Sequence, residues 1–162
     1  MDRDFLQDVQ NDILVQGVDT NQKTFIVLPY EQAVAQRIPY IMIVGLFIYK
    51  DSVLIKRNQE GLWDVTIELP LIYGSTHVTL LERAMYEQFD IQGVHCVQKR
   101  YLSPTLLQPY FLYVYELYIP YKTHITIDVE IRRFIDIALL KQSVLLEPSF
   151  FTPLLIQNID IM

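Results

Sequence analysis

Nine consecutive residues, Ile41 to Tyr49 (IMIVGLFIY), carry no charge and almost no polarity. A strand with one face in water alternates polar and apolar side chains. An unbroken apolar run of this length therefore predicts a strand covered on both faces. A chain built around it needs one layer above the sheet and another below. The run is about half of the ~20 residues that a helix needs to cross a bilayer, so it predicts a core strand and no membrane association. At 162 residues a single domain can enclose such a strand, because chains of this size bury roughly 70% of their unfolded surface.

The flanking sequence supplies candidates for both layers. Phe5, Leu6, Val9 and Ile13 have the spacing of one helical face, so residues 1–20 are read as an N-terminal helical extension. Thr24–Leu28 reads as a strand, and Pro29–Pro39 as a connection to the central run. A turn at Lys50-Asp51-Ser52 leads into a second hairpin strand, Val53–Lys56. Asn58–Gly61 is a polar loop, and Leu62–Leu69 reads as extended. From His77 to Phe89 the period changes: Val78, Leu81, Met85 and Phe89 fall three and four apart, which predicts an amphipathic helix. Thr79 and Glu82 have capping-box spacing at its start, and Ser75 is another candidate cap. Val94–Tyr101, Tyr110–Ile119 and Ile125–Ile135 read as further extended segments, with Pro120 ending the second. Asp136–Ser143 and Pro148–Ile159 read as helices, so 136–162 is expected to be helical. Strands bracketing helices on a mostly buried sheet give an α/β or α+β sandwich spanning 1–162.

Charge and cysteine content remove several function classes. The net charge is −6, which argues against nucleic acid as a partner, since that binding rests on neutralising phosphates with Lys and Arg. One cysteine, Cys96, excludes an intrachain disulfide and a zinc site built from several thiolates. The opening MDRDFLQDVQNDI has no signal-peptide core, and a cytoplasmic protein is expected. His77, His95 and His124 are scattered without ligand spacing and read as satisfied or solvated side chains.

At Gly61-Leu62-Trp63-Asp64-Val65 the chain resembles the Nudix hydrolases, and most closely the branch near isopentenyl-diphosphate isomerase, whose members carry a similar GLWDVS segment. The hairpin strand VLIKR at 53–57 resembles the family's LLxxR strand. The family box reads G-x5-E-x7-R-E-U-x-E-E-x-G-U, with U aliphatic. Running forward from Trp63 without a gap places it at Leu69–Ile91, where Arg83 meets the family arginine, Met85 and Ile91 the aliphatic positions, and Glu87 the first of the paired glutamates. Glu130–Ile135 (EIRRFI) and Phe151-Thr152-Pro153 are similar to the family's later strand and C-terminal helix. The resemblance implies an α/β/α sandwich around a central mixed sheet.

For chemistry the resemblance implies less. Family members hold Mg2+ or Mn2+ against a diphosphate with carboxylates at i, i+3 and i+4 of the box helix, one helical face. The matching positions here are Ala84, Glu87 and Gln88; the opening Gly is Leu69, the first Glu is Ser75, and the turn Gly is Asp90. One carboxylate stands where three are needed, so no metal, no cofactor and no catalytic residue are expected. Mg2+ or Mn2+ enters only under the alternative of a divergent hydrolase acting on nucleoside diphosphate derivatives or isoprenoid diphosphates. Arg83 and Glu87 are read as a residual pair on the box helix, and Glu68, Glu82, Asp90 and Glu130 as surface charges. Arg57, Trp63 and Glu130 are the candidate ligand-binding residues, with Glu130 in a region where some relatives supply a general base. The expectation is a Nudix-like domain that binds a nucleotide-like molecule or a protein partner, with a homodimer as a further candidate. Aromatics on both faces of Tyr110–Ile119 are the feature that core packing alone does not absorb.

Overall fold

The computed structural model describes residues 13–19, 23–119, 125 and 127–162. Strand β3 (Ile41–Tyr49) lies at its centre. Strand β8 (Phe111–Tyr118) runs parallel to it, in register from Ile41 opposite Phe111 to Ile48 opposite Tyr118. The other edge of β3 is divided between two antiparallel strands. β6 (Ile67–Pro70) takes Met42 to Gly45, and β4 (Ser52–Arg57) takes Ile48 and Tyr49. Beyond that contact β4 carries β5 (Trp63–Val65) along one edge and β9 (Arg132–Asp136) along the other. β7 (His95–Leu102) pairs with the outer edge of β8 and bulges at Lys99. Among the described residues these seven strands form one mixed sheet, while β1 (Leu14–Asp19) and β2 (Thr24–Pro29) form a separate hairpin.

Side chains alternate along β3, and each set meets its own layer. Ile43 and Phe47 pack with Leu80, Leu81, Ala84, Met85 and Phe89 of helix α2 (His77–Phe89). Met42, Val44, Leu46 and Ile48 face the opposite layer, made by the hairpin, helix α1 (Tyr30–Ala35), helix α3 (Ile137–Leu146) and helix α4 (Pro153–Asn158). The result is the expected α/β/α sandwich on a central mixed sheet. Each large side chain buried this way contributes ~1.5–3 kcal/mol, so the central strand alone accounts for a sizeable share of the driving force. No described helix is long and apolar enough to cross a membrane.

The longest periodic segments form at the bounds read from sequence: β3 at 41–49 and α2 at 77–89. Other segments differ. Residues 14–19 are strand β1, so the expected 1–20 helix does not extend through them, and 1–12 lie outside the described residues. The Pro29–Pro39 connection contains α1, entered directly from Pro29. The 62–69 stretch breaks at buried Thr66, whose hydroxyl donates to the Leu54 carbonyl (2.7 Å), and this break separates β5 from β6. Thr76 caps α2, its Oγ1 accepting from the Thr79 amide (3.1 Å), so neither Ser75 nor a Thr79–Glu82 box does so. The C-terminal region is helical as two α-helices with short 3-10 turns at 148–150 and 159–161.

Gly45 lies beneath the α2 layer where neighbouring side chains crowd the sheet. A Cβ there would lie 2.8 Å from Leu117 Cδ1, 3.2 Å from Leu81 Cδ2 and 3.3 Å from Ile67 Cβ. A branched side chain has no room. Gly45→Val is expected to cost about 2–3 kcal/mol through overpacking, read as a lower urea midpoint with unchanged m-value; a variant as stable as the parent contradicts this packing.

Candidate functional site

The box helix α2 turns its family positions in different directions. Ala84 is only 5% exposed and lies within the apolar layer. Gln88 is half-buried, and Glu87 faces outward, where its Oε1 accepts from Arg83 Nε at 3.0 Å. That pair is largely solvated and is worth about 0.3–0.5 kcal/mol. Asp90 ends the helix at φ 55°, the left-handed conformation that a glycine normally provides and that Asp tolerates better than most residues. His77 begins α2 with Nδ1 2.8 Å from the Tyr115 hydroxyl and its ring edge-on to Tyr113, and burial lowers its pKa. It is a satisfied histidine, as its sequence context indicates.

A different grouping forms where β4, β5 and β9 run together. Arg57 is directly opposite Trp63, and Arg133 is opposite Ile55, so both arginines project on the α3–α4 face of the sheet. Their guanidinium carbons stand 4.9 Å and 5.1 Å from the Trp63 ring centroid. Neither guanidinium has a carboxylate partner among the described residues. Trp63 is held from behind: its carbonyl accepts from the Thr152 amide (2.9 Å), and the Thr152 hydroxyl donates to Asp64 Oδ1 (2.6 Å) while also capping α4. Arg57 and Trp63 are thus brought together as expected, and Arg133 joins them. Glu130 sits in the exposed turn before β9, its amide donating to Asp128 Oδ1 (3.0 Å). Among the described residues no hydrogen bond or ion pair joins its side chain to the Arg57–Trp63 pair. Arg133 was hidden in sequence because only the β4–β9 register carries it across.

Glu68 is the second residue the sequence undervalues. It pairs with Val44 across the β3–β6 ladder. The residue is open to solvent, yet protein atoms crowd it on most sides; this desolvation, with the nearby Asp64 carboxylate adding to it, pushes its pKa up to about 7. Among the described residues it makes no hydrogen bond or ion pair, and Tyr40 and Tyr110 are close enough to feel its charge.

No family model matches the sequence, and no curated protein matches it. Solved structures do. DR0079 from Deinococcus radiodurans superposes with a TM-score of 0.59 at 16% identity, covering 83% of this chain and 89% of that one. A Nudix hydrolase from Nitrosomonas europaea gives 0.53 at 14% identity, covering 75% and 86%. A Nudix-family hydrolase from Clostridium perfringens gives 0.51 at 10% identity, covering 76% and 98%. The fold is that of the Nudix hydrolases. Within the Nudix fold the box helix is where a divalent metal is implied, and the residues present do not fit one. Ala84 contributes a buried methyl, Gln88 a neutral amide, and the one carboxylate, Glu87, is taken by Arg83. Among the described residues no three His, Cys, Asp or Glu side chains come together as a cation site. Magnesium requires several hard oxygen ligands, and a single carboxylate does not supply them.

The raised pKa of Glu68 has a pH signature. A carboxyl whose folded pKa exceeds its unfolded value is neutral and harmless at low pH, and it becomes a cost as pH rises through the folded value, here from 4.5 towards about 7. Glu68→Gln is therefore expected to melt close to the parent at pH 4 and above it at pH 8, by thermal denaturation followed by circular dichroism. A variant that melts below the parent at pH 8 would show that the ionised carboxylate is stabilising instead.

Proposed function

We propose that this chain is a Nudix-fold binding domain without metal-dependent hydrolysis, and that it takes a nucleotide-like, phosphate-bearing molecule on the Arg57–Trp63–Arg133 platform. One observation carries the reading: two guanidinium groups lie over a single indole with no described carboxylate to neutralise them. Guanidinium groups grip phosphate oxygens bidentately, and an aromatic face beside them accepts a planar ring. The box helix supports the other half of the reading, since diphosphate hydrolysis without a metal loses both leaving-group neutralisation and water activation. Losses of several kcal/mol at ~1.36 kcal/mol per decade remove useful turnover.

The alternative of a divergent hydrolase for nucleoside diphosphate derivatives, or for isoprenoid diphosphates as the GLWDV segment implies, is separated by the same experiment. Calorimetry with ADP-ribose, ADP and geranyl diphosphate, each with and without Mn2+, is expected to show metal-independent binding of at least one ligand. Arg57→Ala and Arg133→Ala should each weaken that binding about tenfold, the usual effect of losing one charge-assisted contact. Metal binding at micromolar affinity that vanishes in Glu87→Gln, with phosphate release, would replace this reading with the hydrolase.

A protein partner or second copy is a further reading with its own surface. Phe25, Val27 and Leu14 project from the outer face of the β1–β2 hairpin, and Phe25 is 73% exposed. Sedimentation velocity of the parent and Phe25→Ser tests it: identical monomeric profiles would remove the homodimer.

A further inference from the structure

Helix α2 covers only part of the sheet face beneath it. Along β8, Leu117 is fully buried and Tyr115 is 7% exposed, while Tyr113 and Phe111 are half-buried. Tyr101, paired with Tyr113 from β7, is 44% exposed. The uncovered part is paved with rings. Those of Tyr101 and Tyr113 lie 4.8 Å apart at 48°, and those of Tyr101 and Phe111 lie 6.4 Å apart, nearly parallel at 13°. His77 closes the row, edge-on to Tyr113 at 4.6 Å. A solvated sheet face ordinarily carries polar side chains instead.

The bulge in β7 creates this row. Gln98 pairs with Tyr115 and Arg100 with Val114, which leaves Lys99 as the extra residue. Without it, the two-residue period would set Arg100 opposite Tyr113 and turn Tyr101 to the other face. With it, Tyr101 joins the rings, and Arg100 reaches Asp160 Oδ2 and the Gln157 carbonyl (both 2.6 Å) in the α3–α4 layer. Lys99 Nζ lies 4.0 Å from Glu116 Oε2, whose strand position faces that same layer. Both cations are thereby kept off the aromatic side. Bulges recur beside functional sites because they re-aim side chains in this way. The remaining edge of the row is polar and uncharged. Tyr115 sets its hydroxyl 2.8 Å from His77 Nδ1 and 3.5 Å from Oε1 of the exposed Gln98.

We propose that Tyr101, Phe111, Tyr113 and His77 form a platform for a neutral heteroaromatic ring, stacked on the exposed ring faces with its polar edge toward Gln98. Aromatic faces accept planar rings of many kinds, so charge decides among them. With Lys99 and Arg100 turned away, the row offers no cation to a phosphate or carboxylate, which selects an uncharged ligand. Packing beneath α2 accounts for Tyr115 and Leu117. It does not account for Tyr101, a large ring that the bulge turns outward in place of an arginine. The platform lies on the opposite face of the sheet from Arg57, Trp63 and Arg133, and it stands whether or not that group takes a phosphate.

The probes are adenosine and nicotinamide, with cyclohexanol as a non-aromatic control, titrated by calorimetry and by the ring-proton shifts of the tyrosines. At least one of the two rings is expected to saturate in the range of roughly 1–10 mM, with cyclohexanol inert. Tyr101→Ala and Phe111→Ala should each weaken that binding about tenfold, and Tyr101→Phe should keep it. Tyr86→Ala, which removes an exposed tyrosine of α2 outside the row, should change nothing. Trp63 is the only tryptophan and lies on the other face, so its emission should stay constant as the ring binds. No saturation with either ring, cyclohexanol binding equally well, or full binding by Tyr101→Ala would each overturn the proposal. Trp63 emission that tracks the titration would also overturn it, by placing the ring beside the arginines. Should Phe111→Ala fail to fold, the exposed Tyr101→Ala decides alone. None of the probes carries a phosphate, so a negative result here leaves the phosphate reading untouched.

Discussion

A strand with apolar residues on both faces cannot be satisfied by one neighbouring layer, and β3 is such a strand. Ile43 and Phe47 require α2 above them, and Met42, Val44, Leu46 and Ile48 require the hairpin and C-terminal helices below. Its backbone groups impose a second condition. Every amide and carbonyl in so dry a setting needs a partner, so β3 must be flanked on both edges. β8 serves the whole of one edge, while β6 and β4 divide the other. The tight contact of α2 at Gly45 follows, because the helix must reach down to cover a strand with no water-facing side.

That divided edge gives the sheet its two distinct polar regions. β4 leaves β3 after two paired residues and gathers β5 and β9 around itself, which is how Arg57, Trp63 and Arg133 from three strands come to share one face. β6 stays against β3 and lays Glu68 over the same face further along. Thr66 at the break decides the partition, since its side chain bonds to Leu54 where the strand would otherwise continue. Positive and negative groups are thereby separated along one surface, in a chain whose net charge of −6 gives no hint of a basic cluster. Arginines facing an indole with no carboxylate partner among the described residues gain about 0.5–1 kcal/mol each from the ring when exposed, too little to explain their placement as a stabilising device.

Legibility in sequence followed the range of the interaction involved. β3 and α2 were readable to the residue because nine and thirteen residues of consistent period outweigh any local ambiguity. The agreement of Trp63-Asp64-Val65 with Arg83–Ile91 was readable because it needs only spacing, and it led to the right fold. Short elements were not readable. α1 has six residues after a proline, too few for a periodic signal, and α2 is capped by Thr76, three residues before Thr79. The candidate sites were half legible. Arg57 and Trp63 face each other across a short loop, so local sequence brings them together. Arg133 depends on long-range register, and Glu68 looks like any strand glutamate until its surroundings are known. Net charge misleads for the same reason: it sums over a surface that the fold partitions.

The side chains present on α2 suit folding better than they suit a divalent ion. Three glutamates at i, i+3 and i+4 repel one another unless a cation sits among them, and burying any one of them without that cation is costly. Ala84 puts a methyl into the apolar layer and is the residue type with the best helix propensity. Arg83 turns the remaining Glu87 from a repelled charge into a paired one, and Asp90 holds the left-handed turn that ends the helix. Each of these residues is neutral or favourable for folding, while a methyl and a paired carboxylate are poor partners for a divalent ion. Stability and metal chemistry therefore place opposite demands on the same thirteen residues, and the side chains of α2 satisfy the first. Arg57 and Arg133, which have no carboxylate partner among the described residues, lie on the opposite face of the sheet from α2.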